Sequence, residues 1–513
     1  MSGPRSPRWD NLANMKLSNR KLSPARLVLI ALCALPAVLA AQTPENSLNQ
    51  AAKLELSGKF VEASNVLNGA RAESPSADQS RQIEFELDRL NRIRLDYSLT
   101  REALFGALQR SVRGLTTNEF GLWAGEGWFD SRTIDGRQFF MNSSVANLYF
   151  RHPELNPRRM DGKDHTIRDH AILASCRAIR QAALLQGTPY VLPKRFDMTM
   201  TVTADADAAP AGQIIRAWLP IPRAYPYQKD FEVVSSTPTV KEIAPADSSI
   251  RSAYFEAVAQ AGQPTSFTLR YRYTRCGVSF IIDPRKVTPF DGTDPALAAF
   301  THEGPNVVFM PEMRALSRQI AGGERNPALL ARKFYDWIGA HTHYSYAIEY
   351  STIRNVGDYC RSHGYGDCGQ EAMFFITLCR LNGIPARWQS GWHTFPGIMD
   401  IHDWSEIYLA PYGWVPVDPY MCVMASYYAT TLTPAECDEV RNFYFGGLDQ
   451  YRMAANDDQS QLLSPPKLSF RSDNVDFQRA ELEWSGHNIY FNHFSYHMDV
   501  KALPARAITA GTM

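Results

Sequence analysis

The sequence has no excess charge of either sign: 53 basic residues are matched by 53 acidic ones among 513. No basic cluster follows residue 40. A nucleic-acid partner requires a basic face to offset phosphate charge, so none is expected. A bilayer-spanning apolar run is also missing. The stretch from Leu27 to Ala40 is too short to span comfortably and contains Pro36. No segment recurs at a fixed period, which sets aside solenoid and propeller architectures. With 45% apolar and 21% charged residues the chain is neither disordered nor collagenous. It is too long for one core, and about two to four domains are expected.

The N-terminal stretch has its own composition. Arg5, Arg8, Lys16, Arg20, Lys21 and Arg26 precede the apolar run, and Asp10 is the one acid among them. The run closes on small residues, with Val38 and Ala40 suited to a signal-peptidase site. Residues 1–40 read as a secretory signal peptide, with an uncleaved anchor as the alternative. The expected localisation is therefore exported, either periplasmic or extracellular. Beyond Ala40 lie 47 basic and 52 acidic residues, a net charge of −5. Seven cysteines follow the signal: Cys176, Cys276, Cys360, Cys368, Cys379, Cys422 and Cys437. An odd number leaves at least one thiol unpaired in an oxidising compartment. Cys176 and Cys379 sit in apolar helical patterns, where buried free thiols are common.

Periodicity divides the rest. Residues 44–192 read as mostly helical, including one hairpin at AAKLELSGKFVEASNVLNGA. From residue 193 the period changes to two. FDMTMTVTA, QIIRAWLPIP, FEVVSS, SAYFEAVAQ and TSFTLRYRYT alternate apolar and polar residues between turn clusters, which predicts a β-sandwich over 193–285. Helical spacing returns at NPALLARKFYDWIGA and opens a candidate catalytic core, 286–430. Residues 431–513 read as a β-rich extension. The fold class is α+β.

The chemistry lies in HGYGDCGQEAMFFITLCRLNGIPAR, from His363. Asp367 is a good N-cap, and Gln370 completes a capping box. Ala372, Phe375, Ile376 and Cys379 share one helical face, and Gly383 and Pro385 end the helix. Cys368 thus begins a buried helix, where free N–H groups and the helix dipole favour a thiolate and could hold an oxyanion. Two strand-like runs follow, HDWSEIYLA and YGWVPVDPY, joined around Pro411–Gly413. An antiparallel hairpin sets the start of the first beside the end of the second, making His402 and Asp418 neighbours. That supplies an imidazole base and its orienting acid.

The segments Gly366–Ala372, Arg380–Arg387, His402–Glu406 and Gly413–Pro419 resemble the core of the bacterial transglutaminase-like superfamily. The resemblance covers about residues 325–425 and implies a papain-like core, a nucleophile helix on an antiparallel sheet, with the preceding sandwich as a companion domain. It implies Cys368 as nucleophile, His402 as general base and acid, and Asp418 as orienter. Tyr420 stands where many members have Thr. Trp337 is the nearest counterpart of the tryptophan that flanks the site in animal members, and their calcium sites are not recognisable. No cofactor or metal is expected. Cys360, His363 and Cys368 lack a clear fourth ligand for zinc. His363 and His393 compete with His402 as base, while Asp400 and Asp403 are expected to point away from it. Cys360, close in sequence, could cap Cys368 reversibly.

The implied reaction is acyl transfer through a Cys368 thioester, with a peptide, protein or cell-wall peptide as substrate. Water as acceptor gives a cysteine peptidase or amidase; an amine gives a protein-glutamine acyltransferase. Hydrolysis is the favoured branch. The alternative is a non-catalytic binding or scaffold protein built on the same core.

Overall fold

The computed structural model describes residues 44–504, apart from positions 74, 163 and 397. The expected signal segment, 1–40, lies outside those residues. The N-terminal part is helical from Pro44–Leu56 to Thr166–Gln186. A small antiparallel sheet of Tyr97–Leu99, Ser131–Ile134 and Arg137–Met141 interrupts it. This part docks on the loop that follows the helix Pro327–His341. Asn147 both donates to the Tyr346 carbonyl (3.1 Å) and accepts from its N–H (2.8 Å). Arg151 donates to Ser345 Oγ at 2.7 Å. The same loop carries Tyr350, which reaches the nucleophile helix.

The period-two segments form two packed sheets. One runs Gly447–Leu448, Thr265–Ser279, Tyr190–Ala204, Phe494–Leu503, with Gln228–Thr237 also pairing with Thr265–Ser279. The other runs His487–Ile489, Glu481–Trp484, Ile214–Pro220, Ser252–Val258, Glu242–Ile243. Alternation places Phe196, Met198, Met200 and Val202 inward, against Ala217, Leu219 and Phe255.

The sheets do not follow the divisions expected at 285 and 430. Strands 481–484, 487–489 and 494–503 belong to the sandwich, and the last pairs with 190–204 in continuous register from Arg195↔Leu503 to Ala204↔Phe494. Residues 431–513 are therefore no separate extension. Alternation tells which face of a strand is buried, but not which strand lies at its edge.

The third sheet carries His402 and borders Asp418. Its order is Gly413–Val417, Ile398–Leu409, Ala386–Phe395, Arg452–Asn456, all antiparallel. The helix Cys368–Leu381 packs with Pro327–His341 and Pro419–Tyr427 in the main core, together with Trp388, Trp404 and Val417 of the sheet. Trp392, Met453 and Ala455 instead join the core of the sandwich. Two motif residues are cross-strand locks. Arg387 and Glu406 are register partners, with Arg387 Nε donating to Glu406 Oε2 at 2.8 Å, and Tyr227 Oη donates to the other oxygen at 2.7 Å.

The fourth strand also comes from beyond residue 430. It approaches so closely that a Cβ on Gly391 would lie 1.8 Å from the Met453 carbonyl oxygen. Backbone stands on both sides of that contact, so neither can yield cheaply. Gly391→Ala is expected to cost about 3 kcal/mol, at the upper end of overpacking penalties, by pushing this strand off the sheet. A thermal melt checks it, and an unchanged midpoint would show that the approach has slack.

Candidate active site

Cys368 opens its helix as read from the sequence. Asp367 accepts from the Gln370 N–H, and Gln370 Oε1 accepts from the Asp367 N–H, both at 3.1 Å. The preceding helix, Val356–His363, ends on Gly364 in the left-handed conformation, φ +71°. The chain then turns through Gly366 into the cap. Gly369 is required by space: a Cβ there would lie 2.1 Å from Tyr350 Oη and 2.8 Å from Asp403 Oδ2. Tyr350 donates to Asp367 Oδ1, which ties the docked loop to the helix start.

His402 and Asp418 meet as the hairpin requires. His402 Nε2 lies 2.9 Å from Asp418 Oδ2, and both side chains are buried. Burial opposes ionisation of Asp418, but His402 and Arg452 outweigh it and hold the carboxyl below its usual range. With Asp418 ionised, Nε2 carries the proton and donates it, and Nδ1 is the nitrogen left for a thiol or substrate. Burial, helped by Arg452, outweighs Asp418 in turn and pulls the imidazole below its usual pKa. At neutral pH His402 is thus an uncharged base. Asp418 is itself fixed as the N-cap of Pro419–Tyr427, accepting from Met421 N–H at 3.3 Å. The Tyr420 ring stands edge-on to His402, with centroids 5.2 Å apart.

Two residues at the site escaped the sequence reading, and a third was misplaced by it. Arg452 is fully buried and donates to Asp418 Oδ2 (2.7 Å) and Asp449 Oδ2 (3.1 Å). Gln478 donates to the His402 carbonyl at 3.0 Å and to Asp403 Oδ1 at 2.7 Å. Asp403 corrects an expectation. It does not point elsewhere: its Oδ2 accepts a hydrogen bond from the Cys368 thiol at 3.6 Å. Among the described residues no hydrogen bond joins Cys368 to His402. The helix start also does not leave the thiol acidic. Burial first, then the Asp403 and Asp367 carboxylates, push it well above the ordinary thiol range.

The competing assignments fall elsewhere. His363 is exposed and stacks on Tyr359 with centroids 4.0 Å apart. His393 is buried opposite Arg452 and kept neutral, its pKa driven well down first by burial and then by that guanidinium. Trp337 stacks on His341 and meets Phe374 edge-on in the helix layer. The seven described cysteines are free thiols, and Cys360 is buried behind Gly366. No group of His, Cys, Asp and Glu among the described residues is arranged to hold a metal ion.

Comparison with known proteins agrees with this core. Residues 314–419 match the transglutaminase-like superfamily, so this segment is a transglutaminase-like core within an α+β chain. No curated protein matches the chain in sequence. Among solved structures, a proposed cysteine protease from Cytophaga hutchinsonii is similar at 16% identity and TM-score 0.40, covering 61% of this chain and 92% of that one. The periplasmic domain of TgpA from Pseudomonas aeruginosa is similar at 16% identity and TM-score 0.25, covering 53% and 96%. Scores this low carry nothing about activity. No helix among the described residues is long and apolar enough to cross a membrane.

Removing the guanidinium strands two buried carboxylates. Arg452→Ala is expected to lower stability by about 3–5 kcal/mol, the usual cost of breaking a buried ion pair from one side. Urea denaturation at neutral pH measures it. A loss under about 1 kcal/mol, the scale of an exposed pair, would mean that water replaces the side chain.

Proposed function

We propose that the protein is an exported thiol enzyme that transfers acyl groups from peptide or carboxamide bonds, with hydrolysis as its favoured outcome. The observation that carries this reading is the buried His402–Asp418 pair at 2.9 Å, set beside the helix that Cys368 begins. An imidazole with one nitrogen committed to a carboxylate and the other uncommitted is the arrangement a thiol nucleophile uses. Cys368 gives its proton to His402 Nδ1 as sulfur attacks the carbonyl. The oxyanion forms near the helix start, where the Cys368 N–H is not taken by the Asp367 cap. His402⁺ then protonates the leaving amine, and a thioester remains on Cys368. Water resolves it to the acid; an amine acceptor would resolve it to a new amide. Candidate substrates are peptides, proteins or cell-wall peptides.

Activity-based capture tests the reading directly. Incubation with a peptide or cell-wall digest, followed by mass mapping, is expected to show an acyl group on Cys368. Cys368→Ala is expected to abolish turnover with the melt unchanged, and His402→Ala to come within about tenfold of that loss. Asp418→Asn should be milder by roughly tenfold to a hundredfold, as orienting residues usually are. Full turnover in purified Cys368→Ala would end the assignment.

The export reading has its own check. The mature N-terminus is expected near Ala41, where the apolar run ends in small residues. N-terminal sequencing of the secreted protein measures it, and recovery of the uncleaved chain from membranes would contradict it.

A further inference from the structure

Asp403 touches the reacting sulfur but has no place in the triad. It is 2% exposed, on the same strand as His402 and one residue further along. The neighbouring strand Gly413–Val417 pairs only as far as Ser405↔Val417, so the sheet edge is open at Asp403. The start of the nucleophile helix fills that opening. The Cys368 Sγ–H donates to Oδ2 at 3.6 Å, while Oδ1 is held by Gln478 Nε2 at 2.7 Å. Gln478 is itself anchored. Its carbonyl accepts from Trp392 Nε1 at 2.9 Å, and its N–H donates to Asp473 Oδ2 at 3.2 Å. Phe477 and Ala480, on either side, have φ values of +39° and +98°, conformations that side chains other than Gly adopt at a cost. A strained, mostly buried segment thus presents one amide to both His402 and Asp403.

We infer that Asp403 is a positioning residue for the nucleophile: clamped by Gln478, it accepts the Cys368 Sγ–H bond and keeps the resting thiol protonated and bonded away from His402. The inference rests on the reading of Cys368 as nucleophile. Sulfur and carboxyl share one proton, and removing it leaves two adjacent negative charges where Asp403 is buried and Cys368 only partly exposed. Other groups face this pair. Asp367 and Tyr350 stand at the helix start, and Asp418 and Tyr420 lie on the far side. Tyr344 comes from the docked loop, and Asp473, Asp476 and Arg479 from the segment around Gln478. Most of the ionisable neighbours are acidic, so the thiolate is disfavoured from several directions, with Asp403 the nearest charge. Burial and Asp367 raise the Asp403 carboxyl as well.

The test needs no substrate. Full-length protein is alkylated with iodoacetamide from about pH 6 to 11, spanning the ordinary thiol pKa, and Cys368 is followed by peptide mass mapping. Asp403→Asn keeps an acceptor for Gln478 and removes the charge. Its Cys368 profile is expected to shift down by at least about one pH unit, a rate gain near tenfold at pH 7. Cys437, partly exposed and distant in sequence, should keep its profile in the same samples. Should the Asn variant fail to fold, Asp403→Ser removes the same charge with less bulk. If wild-type Cys368 labels and the variant profile coincides with it, Asp403 has no such role, although the nucleophile stands. If only the variant labels, the inference holds in its strongest form. If Cys368 labels in neither at any pH, both readings fall.

Discussion

Arg452 lies between Asp418 and Asp449 with no exposed surface on any of the three. Two carboxylates and one guanidinium, all desolvated, would be costly apart; together they hold one another ionised. The arrangement reaches outward in both directions. Asp449 accepts from Tyr444 Oη at 2.9 Å and from Tyr451 N–H at 2.8 Å, which fixes the turn leading into the edge strand. Asp418 passes the constraint to His402 and to the helix it caps. The guanidinium that holds Asp418 ionised beside His402 therefore comes from a strand more than thirty residues after the hairpin, and the close approach at Gly391 is what lets that strand come in.

How much of this was legible depended on range. The cap at Asp367, the helix that Cys368 begins and the meeting of His402 with Asp418 are local, because each follows from residues a few positions apart or from one tight hairpin. Arg452 and Gln478 were not legible. Both lie in late segments that looked like ordinary β extension, and nothing in their own sequence says which sheet they join. Asp403 misled for a different reason. Strand alternation sends it to the face opposite His402, and that rule holds where a strand has neighbours on both sides. Here the neighbour ends at Val417, and the helix start occupies the space it leaves.

The acidity of the thiol shows the same tension between a local rule and its surroundings. A helix N-terminus lowers a thiol pKa through dipole and N–H groups. Those groups are present, yet two carboxylates and the loss of solvent act against them at shorter range. The result is a site in which Cys368 and His402 both favour their uncharged forms, rather than a ready ion pair. The N-terminal helices contribute to that dryness by fixing the loop of Tyr346 and Tyr350 against the nucleophile helix.

The pairing of Phe494–Leu503 with Tyr190–Ala204 has a consequence for how the protein comes into being. The first strand of the sandwich leaves the ribosome about three hundred residues ahead of its edge partner, and the edge strand of the catalytic sheet also emerges late. Neither sheet can close until its late strand has been made. Folding of both sheets therefore waits on late strands and on the slow search that non-local strand pairing imposes. Until those strands dock, the nascent sandwich has an open edge and Asp418 lacks its Arg452 partner.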